Sequence, residues 1–340
     1  MVRLGSGHVL LLLSAATATA AVLLGTLYPL FLDAVGGGKI SVGPPFFNAV
    51  FIPIMLPMIV AMAFGPLLNW KRGDLASAFN RLKVALVIAL AATGATWAGQ
   101  SDGPMFATLG MGLAVWLGIG TLAEFAGRLR LFSVPTRAWG RLMHVPRASW
   151  GMTLGHFGLA LAIAGMSGAG GWTKESIQTM RPGETIEVSG YKFTFKGTEK
   201  ARGPNFTSVV GKFSVTRGKN MVTELLAEKR TYLVGGMTTT EAGIHTMLFG
   251  DLYAVIGDAE GEAGAYVTRL YFNPLVAWMW IGSLVMIFGA ALSLTDRRYR
   301  VGAPRRALLV GLFALPRVGT RAAVGPLGLE PQREVPRQAR

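Results

Sequence analysis

The chain has 340 residues, 51% of them hydrophobic and only 15% charged, and its mean hydropathy is +0.44. A soluble domain carries about 25% charged residues, so the deficit of charge excludes a disordered chain and argues against an ordinary soluble enzyme. With no cysteine, disulfides, thiolate metal sites, cysteine nucleophiles and covalent haem attachment through a CxxCH motif in this chain are excluded as well.

A helix needs about 20 apolar residues to cross a bilayer. Six stretches meet this, at roughly 9–32, 48–69, 83–99, 105–127, 150–171 and 274–295, and none has a charge in its middle third. Glu124 sits near one end of the fourth. Arg3 followed by LLLLSAATATA resembles a signal peptide with a cleavage site near Ala20. The apolar run continues to Leu32, too long for such a region, so a membrane span is expected. Pro44-Pro45 stiffens the start of the second span.

Lys and Arg mark the inner loops of membrane proteins. Lys71, Arg72, Arg81 and Lys83 follow span two; Arg128, Arg130, Arg137, Arg141 and Arg147 follow span four; Arg297, Arg298 and Arg300 follow span six. The alternate loops are nearly bare. Both termini are therefore expected inside, with residues 172–272 outside. The net charge of +15 follows from this: 20 of the 33 Lys and Arg fall in the inner segments, while the outer segment holds 12 basic and 11 acidic residues. The excess reports orientation and calls for no nucleic acid partner.

The outer segment reads as β structure. ETIEVSG, YKFTFKGTEK, TSVVGKFSVTRG, MVTELLAEKRTYLV, DLYAVIGD and AYVTRLYF are strand-like runs. Pro182-Gly183, Ser189-Gly190, Arg217-Gly218, Gly203-Pro204-Asn205 and Gly257-Asp258 are turn signals between or beside them. A small antiparallel barrel or sandwich is expected. The fold class is thus a polytopic α-helical membrane protein of about six transmembrane helices, with a mostly β outer domain between helices five and six. The domains are 1–171 (helices one to five), 172–272 (outer domain), 273–296 (helix six) and 297–340 (a basic tail, disordered or lying on the membrane).

Four histidines are present. His8 and His144 belong to basic inner margins and are expected to be solvated, and His245 lies in the outer domain. His156, in WGMTLGHFGLALAIAG, is about two turns into the fifth span, where an ionisable group is costly and marks a functional candidate. Gly151, Gly155, Gly158 and Gly165 around it would leave room for a flat ligand, and neutral imidazole is a good ligand for haem iron. A histidine hydrogen-bonded to a neighbouring helix explains the same residues, and the residues alone leave the two readings open. No paired catalytic carboxylates, HExxH, P-loop or GxSxG motif is present. Glu228, Lys229, Arg230 and Glu241 are candidates for ion pairs.

The segments GTLYPL, SVGPPFFN, WGMTLGHFGLALAIAG, RPGETIEVSGYKFTFKG, GPNFTSVVGKFSV, AEKRTY, TEAGI, DLYAVIGD and RLYFNPLVAWMW through TDRRYR, in this order, resemble the C-terminal half of CcmF, a family that includes NrfE. The resemblance runs from about residue 10 to about 305. It implies a cytochrome c-type biogenesis protein of the bacterial inner membrane with its outer domain in the periplasm. Such a protein is a haem lyase subunit that receives substrate haem from a haem chaperone and helps attach it to apocytochrome c. The family also holds a haem b between two transmembrane histidines, and the second of these matches His156 as an axial ligand of the haem iron.

The chain departs from the family in one respect. The family's tryptophan-rich haem-handling segment, its two outward-facing histidines and the first haem b histidine have no counterpart among the eight tryptophans and four histidines here. The resemblance therefore implies half of a protein, a natural split or a fragment, inactive as a lyase without the N-terminal half. Haem b would be shared with that half. The partners implied are the N-terminal CcmF half, the haem chaperone, thiol-handling subunits, apocytochrome c and membrane lipid. A haem transporter and a structural docking subunit are the alternatives.

Overall fold

The computed structural model describes residues 6–67, 75–99, 104–261 and 264–296. The basic tail and the loop holding Lys71 and Arg72 lie outside them. Seven α-helices and nine β-strands are formed by these residues: α1 (Ser6–Ala34), α2 (Pro44–Phe64), α3 (Leu75–Ala98), α4 (Met105–Arg128), α5 (Ala138–Leu142) and α6 (Arg147–Trp172), then β1 to β9, then α7 (Val276–Leu294). All but the short α5 are long and apolar enough to cross a membrane. Pro44 and Pro45 occupy the first turn of α2, where a missing N–H costs nothing. Helix α3 begins eight residues before the expected span: Asn80 and Arg81 interrupt the apolar run, while Leu75, Ala76, Ala78 and Leu82 keep the segment helical.

Helix α6 packs between α4 and α7, α3 and α2 lie against α4, and α1 pairs with α2. Half of the α4 and α6 spans is buried, against 11% of α1 and of α2, so α4 and α6 are the centre of the helical layer. Their core joins Leu82, Ala85, Ala114, Trp116, Leu117, Ala160 and Ile163. Trp116 also donates its indole N–H to the Val60 carbonyl of α2 at 3.2 Å.

The strands form an antiparallel sandwich. One sheet has the order β1 (Lys174–Met180), β9 (Tyr266–Pro274), β8 (Gly250–Ala259), β7 (Gly243–His245). The other runs in sequence order, β2 (Thr185–Val188), β3 (Tyr191–Arg202), β4 (Phe206–Arg217), β5 (Asn220–Tyr232) and β6 (Thr238–Glu241). Alternation along β3 and β4 turns Phe193, Phe195, Phe213 and Val215 inward, where they are fully buried against Leu252, Ile256 and Leu270 of the facing sheet. Ser189 and Gly190 both take positive φ, at 52° and 79°, in a two-residue hairpin turn.

Strands β1, β6 and β7 are absent from the sequence reading. They are short or polar edge strands, with KESIQTM and TTTE lacking an apolar alternation. One expected turn is corrected: Gly257-Asp258 lies inside β8, where the pairing with β9 slips between Ile256 and Ala259, a bulge rather than a chain reversal. The reversal comes later, closed by Glu260 N–H donating to the Ala265 carbonyl at 3.1 Å.

Sandwich and helices join through single residues. Thr173 alone separates α6 from β1, and Leu275 alone separates β9 from α7. Leu275 adopts φ 59°, ψ 13°, and its N–H donates to the Phe249 carbonyl at 3.2 Å. Trp278 donates its indole N–H to the Leu248 carbonyl at 2.9 Å, and Thr173 Oγ1 donates to Asn273 Oδ1 at 3.0 Å.

Candidate functional site

His156 stands nine residues into α6, so about 13 Å along the helix from its first residue at 1.5 Å per residue. It is half-buried, and its Nδ1 lies 2.8 Å from the Met152 carbonyl oxygen one turn earlier. A carbonyl can only accept, so this bond places a proton on Nδ1, and in the neutral ring the lone pair is then on Nε2. This is the arrangement of metal-ligating histidines, whose second ring N–H is held by a carbonyl or carboxylate.

The glycines near His156 have another role from the one the sequence suggests. A Cβ on Gly158 would stand 2.6 Å from the Gly282 carbonyl oxygen and 2.8 Å from Met286 N of α7. On Gly151 it would meet Gly289 O at 2.5 Å, and on Gly165 Met279 N at 2.6 Å. In return, a Cβ on Gly289 would meet Gly151 O at 2.8 Å. The residues form one seam at seven-residue spacing where two backbones touch, as small residues allow in membrane helices. At 100° per residue, His156 is about 160° around the helix from Gly158. The seam therefore fixes α6 against α7 from behind and opens no ligand space beside the imidazole. Among these four glycines only Gly155 has open space at its Cβ position.

The other histidines separate from this one. His144 is exposed, with Nδ1 2.6 Å from the Gly140 carbonyl. His245 ends β7. The backbone at His8 belongs to α1. Among the described residues no group of three or more His, Cys, Asp or Glu gathers around a common centre, so a metal at His156 would draw its other ligands from elsewhere.

Three acidic residues stand out by burial, which sequence patterning does not reveal. Glu124, with 6% of its side chain exposed, pairs with Arg128 through Oε1, and its Oε2 has no hydrogen-bond partner among the described residues. Arg128 also donates to Ser149 Oγ at 3.0 Å, tying α4 to α6. Asp296 accepts from the Ala148 N–H at 2.9 Å, so the chain after α7 caps the start of α6. Asp251, at the helix-side end of the sandwich, is 5% exposed, and its Oδ1 has no hydrogen-bond partner among the described residues. Burial pushes its pKa above the ordinary 3.8, against the opposing pull of Met247 N–H, the Thr246 hydroxyl and His245. The expected ion pairs are formed: Arg230 reaches Glu228 at 2.8 Å and Glu241 at 3.6 Å, and Lys229 pairs with Asp258.

Residues 171–274 match the family model described as the CcmF C-terminal beta-sandwich, the segment that forms β1 to β9. The chain is 45% identical over 292 residues to the cytochrome c-type biogenesis protein CycK of Rhizobium meliloti, covering 86% of this chain and 43% of that protein. It is 36% identical over 280 residues to CcmF of Escherichia coli, covering 82% and 42%, and 31% identical over 301 residues to NrfE of Haemophilus influenzae, covering 86% and 44%. A solved structure titled Cytochrome c Heme Lyase CcmF superposes with a TM-score of 0.67 at 23% identity, over 85% of this chain and 45% of that one. At that identity the likeness concerns the fold. The chain spans less than half the length of the relatives it matches. The chain matches the C-terminal half of the longer CcmF proteins, in its helices as well as its sandwich.

Proposed function

We propose that the chain works in cytochrome c biogenesis as the sandwich-bearing half of a haem lyase assembly. The observation that carries this reading is similarity to CycK and CcmF proteins over more than four fifths of the chain, which takes in helices as well as sandwich. The membrane part comprises 1–171 and 273–296, in the bacterial inner membrane. The termini and the basic tail 297–340 lie on the cytoplasmic side, and 172–272 lies in the periplasm. The haem chaperone, thiol-handling subunits and apocytochrome c meet the assembly on the periplasmic side.

His156 is the residue of this chain that would hold a haem b. The donor type fits: an imidazole whose Nδ1–H is held by the Met152 carbonyl would in its neutral form present Nε2 to haem iron. The N-terminal half would have to supply any further haem ligand. When bound, the group would supply a redox-active iron beneath the periplasmic site.

The residues here position that ligand. The Met152 carbonyl holds the ring by its Nδ1–H and so fixes its orientation. The α6–α7 seam prevents α6 from rotating. The sandwich forms part of the partner surface. Bringing a cysteine thiol of apocytochrome c and a vinyl carbon of substrate haem into one frame makes thioether addition effectively unimolecular, and this is the lyase contribution assigned to the assembly.

The test is co-expression of the chain with an N-terminal CcmF half and a reduced-minus-oxidised spectrum of the membranes. A b-type band is expected. His156→Ala should remove it, and added imidazole should restore part of it. An unchanged band in the His156→Ala membranes would sink the ligand assignment.

A further inference from the structure

The five-stranded sheet is longer than the sheet that covers it. Near the helices Tyr191, at the start of β3, stacks on Phe272 of β9 at 5.7 Å. From there β3 runs 12 residues away to Arg202, about 40 Å at 3.3 Å per residue. Strand β8 stops at Ala259, one residue after Asp258 reaches Lys229. Beyond that point no described strand of the facing sheet covers the inner face of the long sheet, and a groove of about 500 Å³ lies there between β3, β4 and β5.

Strand register fixes what lines it. Lys200, Val209 and Lys229 stand side by side in one row, and Arg202, Thr207 and Thr231 in the next. Positions two apart share a face, so three cations and two hydroxyls point the same way. The opposite face of these strands neutralises its own charges, with Lys212 on Glu199 at 2.7 Å and Arg230 on Glu228 and Glu241. Lys229 in the groove has Asp258. Lys200 and Arg202 are exposed, and neither has a carboxylate partner among the described residues.

Apolar groups stand next to them. The β5–β6 turn, closed by Tyr232 N–H on the Met237 carbonyl, lies against the β3–β4 turn through Leu233 N–H on the Asn205 carbonyl at 3.0 Å. Its side chains Leu233, Val234 and Met237 are 58%, 88% and 65% exposed. They are at the end of the sandwich remote from the helices. Exposed apolar groups beside unpaired charge mark a protein contact.

We propose that this groove docks an acidic, extended segment of a partner protein, its carboxylates on Lys200 and Arg202 and an apolar side chain on the Leu233–Val234 tip. Asp258 on Lys229 already shows the chemistry within the chain: one carboxylate from a neighbouring strand occupies one of the three cations. The open groove and its apolar border suit a peptide better than a small anion. The inference goes beyond the haem lyase reading and does not depend on His156.

The probe is a fluorescein-labelled peptide of alternating Glu and Leu, titrated by anisotropy into the full chain in nanodiscs of uncharged lipid at about 50 mM salt. Binding is expected, weakening with added salt. A tenfold or greater loss is expected for Lys200→Glu with Arg202→Glu, and a several-fold loss for Leu233→Ser with Val234→Ser. The same peptide with Gln for Glu should bind at least tenfold more weakly. Lys192→Glu with Lys219→Glu, exposed cations outside the groove, changes net charge equally and should stay within twofold of the parent.

An equal loss in the two charge reversals, an unchanged affinity in the Lys200–Arg202 variant, or equal binding of the Gln peptide would overturn the proposal. So would displacement of the peptide by millimolar inorganic phosphate or by phosphatidylglycerol vesicles. Circular dichroism of each variant, matching the parent, assigns the losses to the groove. The b-type band of the co-expressed pair reports separately on His156.

Discussion

Gly155 and Gly158 are three residues apart on α6, and replacing each with alanine should shift stability in opposite directions. Alanine adds helix propensity of up to about 1 kcal/mol at either site. At Gly155 the new methyl meets open space, so that gain stands alone. At Gly158 the methyl would lie 2.6 Å from Gly282 O and 2.8 Å from Met286 N, where an ordinary contact is about 3.5 Å. Both obstacles are backbone and cannot swing aside, so the helices must part by nearly 1 Å. A gap of 0.5–1 Å forfeits a quarter to a half of each contact along the seam, and overpacking of this kind costs about 1–3 kcal/mol. The propensity gain is common to both variants, so the difference between them isolates the packing cost at about 1–3 kcal/mol.

A second substitution sharpens the test. A Cβ on Gly282 would clash with Gly158 O and approach Ala162 N at 2.6 Å, so Gly282→Ala demands the same separation. Once one methyl has parted the helices, the other adds little. The double variant should therefore cost less than the sum of the single ones, with a coupling on the order of 1 kcal/mol. The assay is reversible unfolding of the purified chain in mixed micelles by SDS titration, followed by tryptophan fluorescence. Shifts of the same sign for Gly155→Ala and Gly158→Ala, or strict additivity of Gly158→Ala and Gly282→Ala, would refute a backbone contact at this seam.

Asp251 gives a pH dependence of defined sign. Its folded pKa is raised above 3.8 by burial, so the folded state holds the proton more tightly than the unfolded state. This group therefore costs stability as pH rises from about 4 through the raised value, and the cost is complete above it. Asp251→Asn should remove that slope, so the Tm difference between variant and parent should grow in the variant's favour from pH 4 to pH 7. A constant difference over that range would contradict the assignment. Trp278→Phe keeps the ring but loses the bond to the Leu248 carbonyl, worth about 0.5–1.5 kcal/mol. Amide exchange should accelerate in 246–250 and stay unchanged in the buried run around Leu252 and Ile256; uniform acceleration across β8 would mean that the bond is not local in effect.

The helices were legible because each buries its length in one solvent, and hydropathy reports that directly. Strands β3 and β4 were legible because Phe193, Phe195 and Phe213 alternate with polar residues. Edge strands β1 and β6 have one neighbour and little core to face, so their composition stays close to that of a loop. The glycines of α6 were visible in sequence, but their purpose depends on α7, more than 100 residues later, and a single strip of sequence cannot separate a packing seam from a ligand cleft. His156 was found because a titratable residue inside an apolar run is rare whatever its neighbours. Asp251 carried no such contrast, since its burial comes from sheet pairing and from the loop above it.

The single-residue joints at Thr173 and Leu275 have a mechanical consequence. With Trp278 and Asn273 pinning the base on both sides, the sandwich has no slack with which to absorb a change in helix tilt. It behaves as a stiff arm on the α6–α7 pair. With an arm of about 40 Å, a 5° tilt of that pair moves the far end by about 3.5 Å, more than the length of a hydrogen bond. An event at the depth of His156 and a partner held at the arm's tip are in this way geared to one another, and load applied at either end is felt at the other.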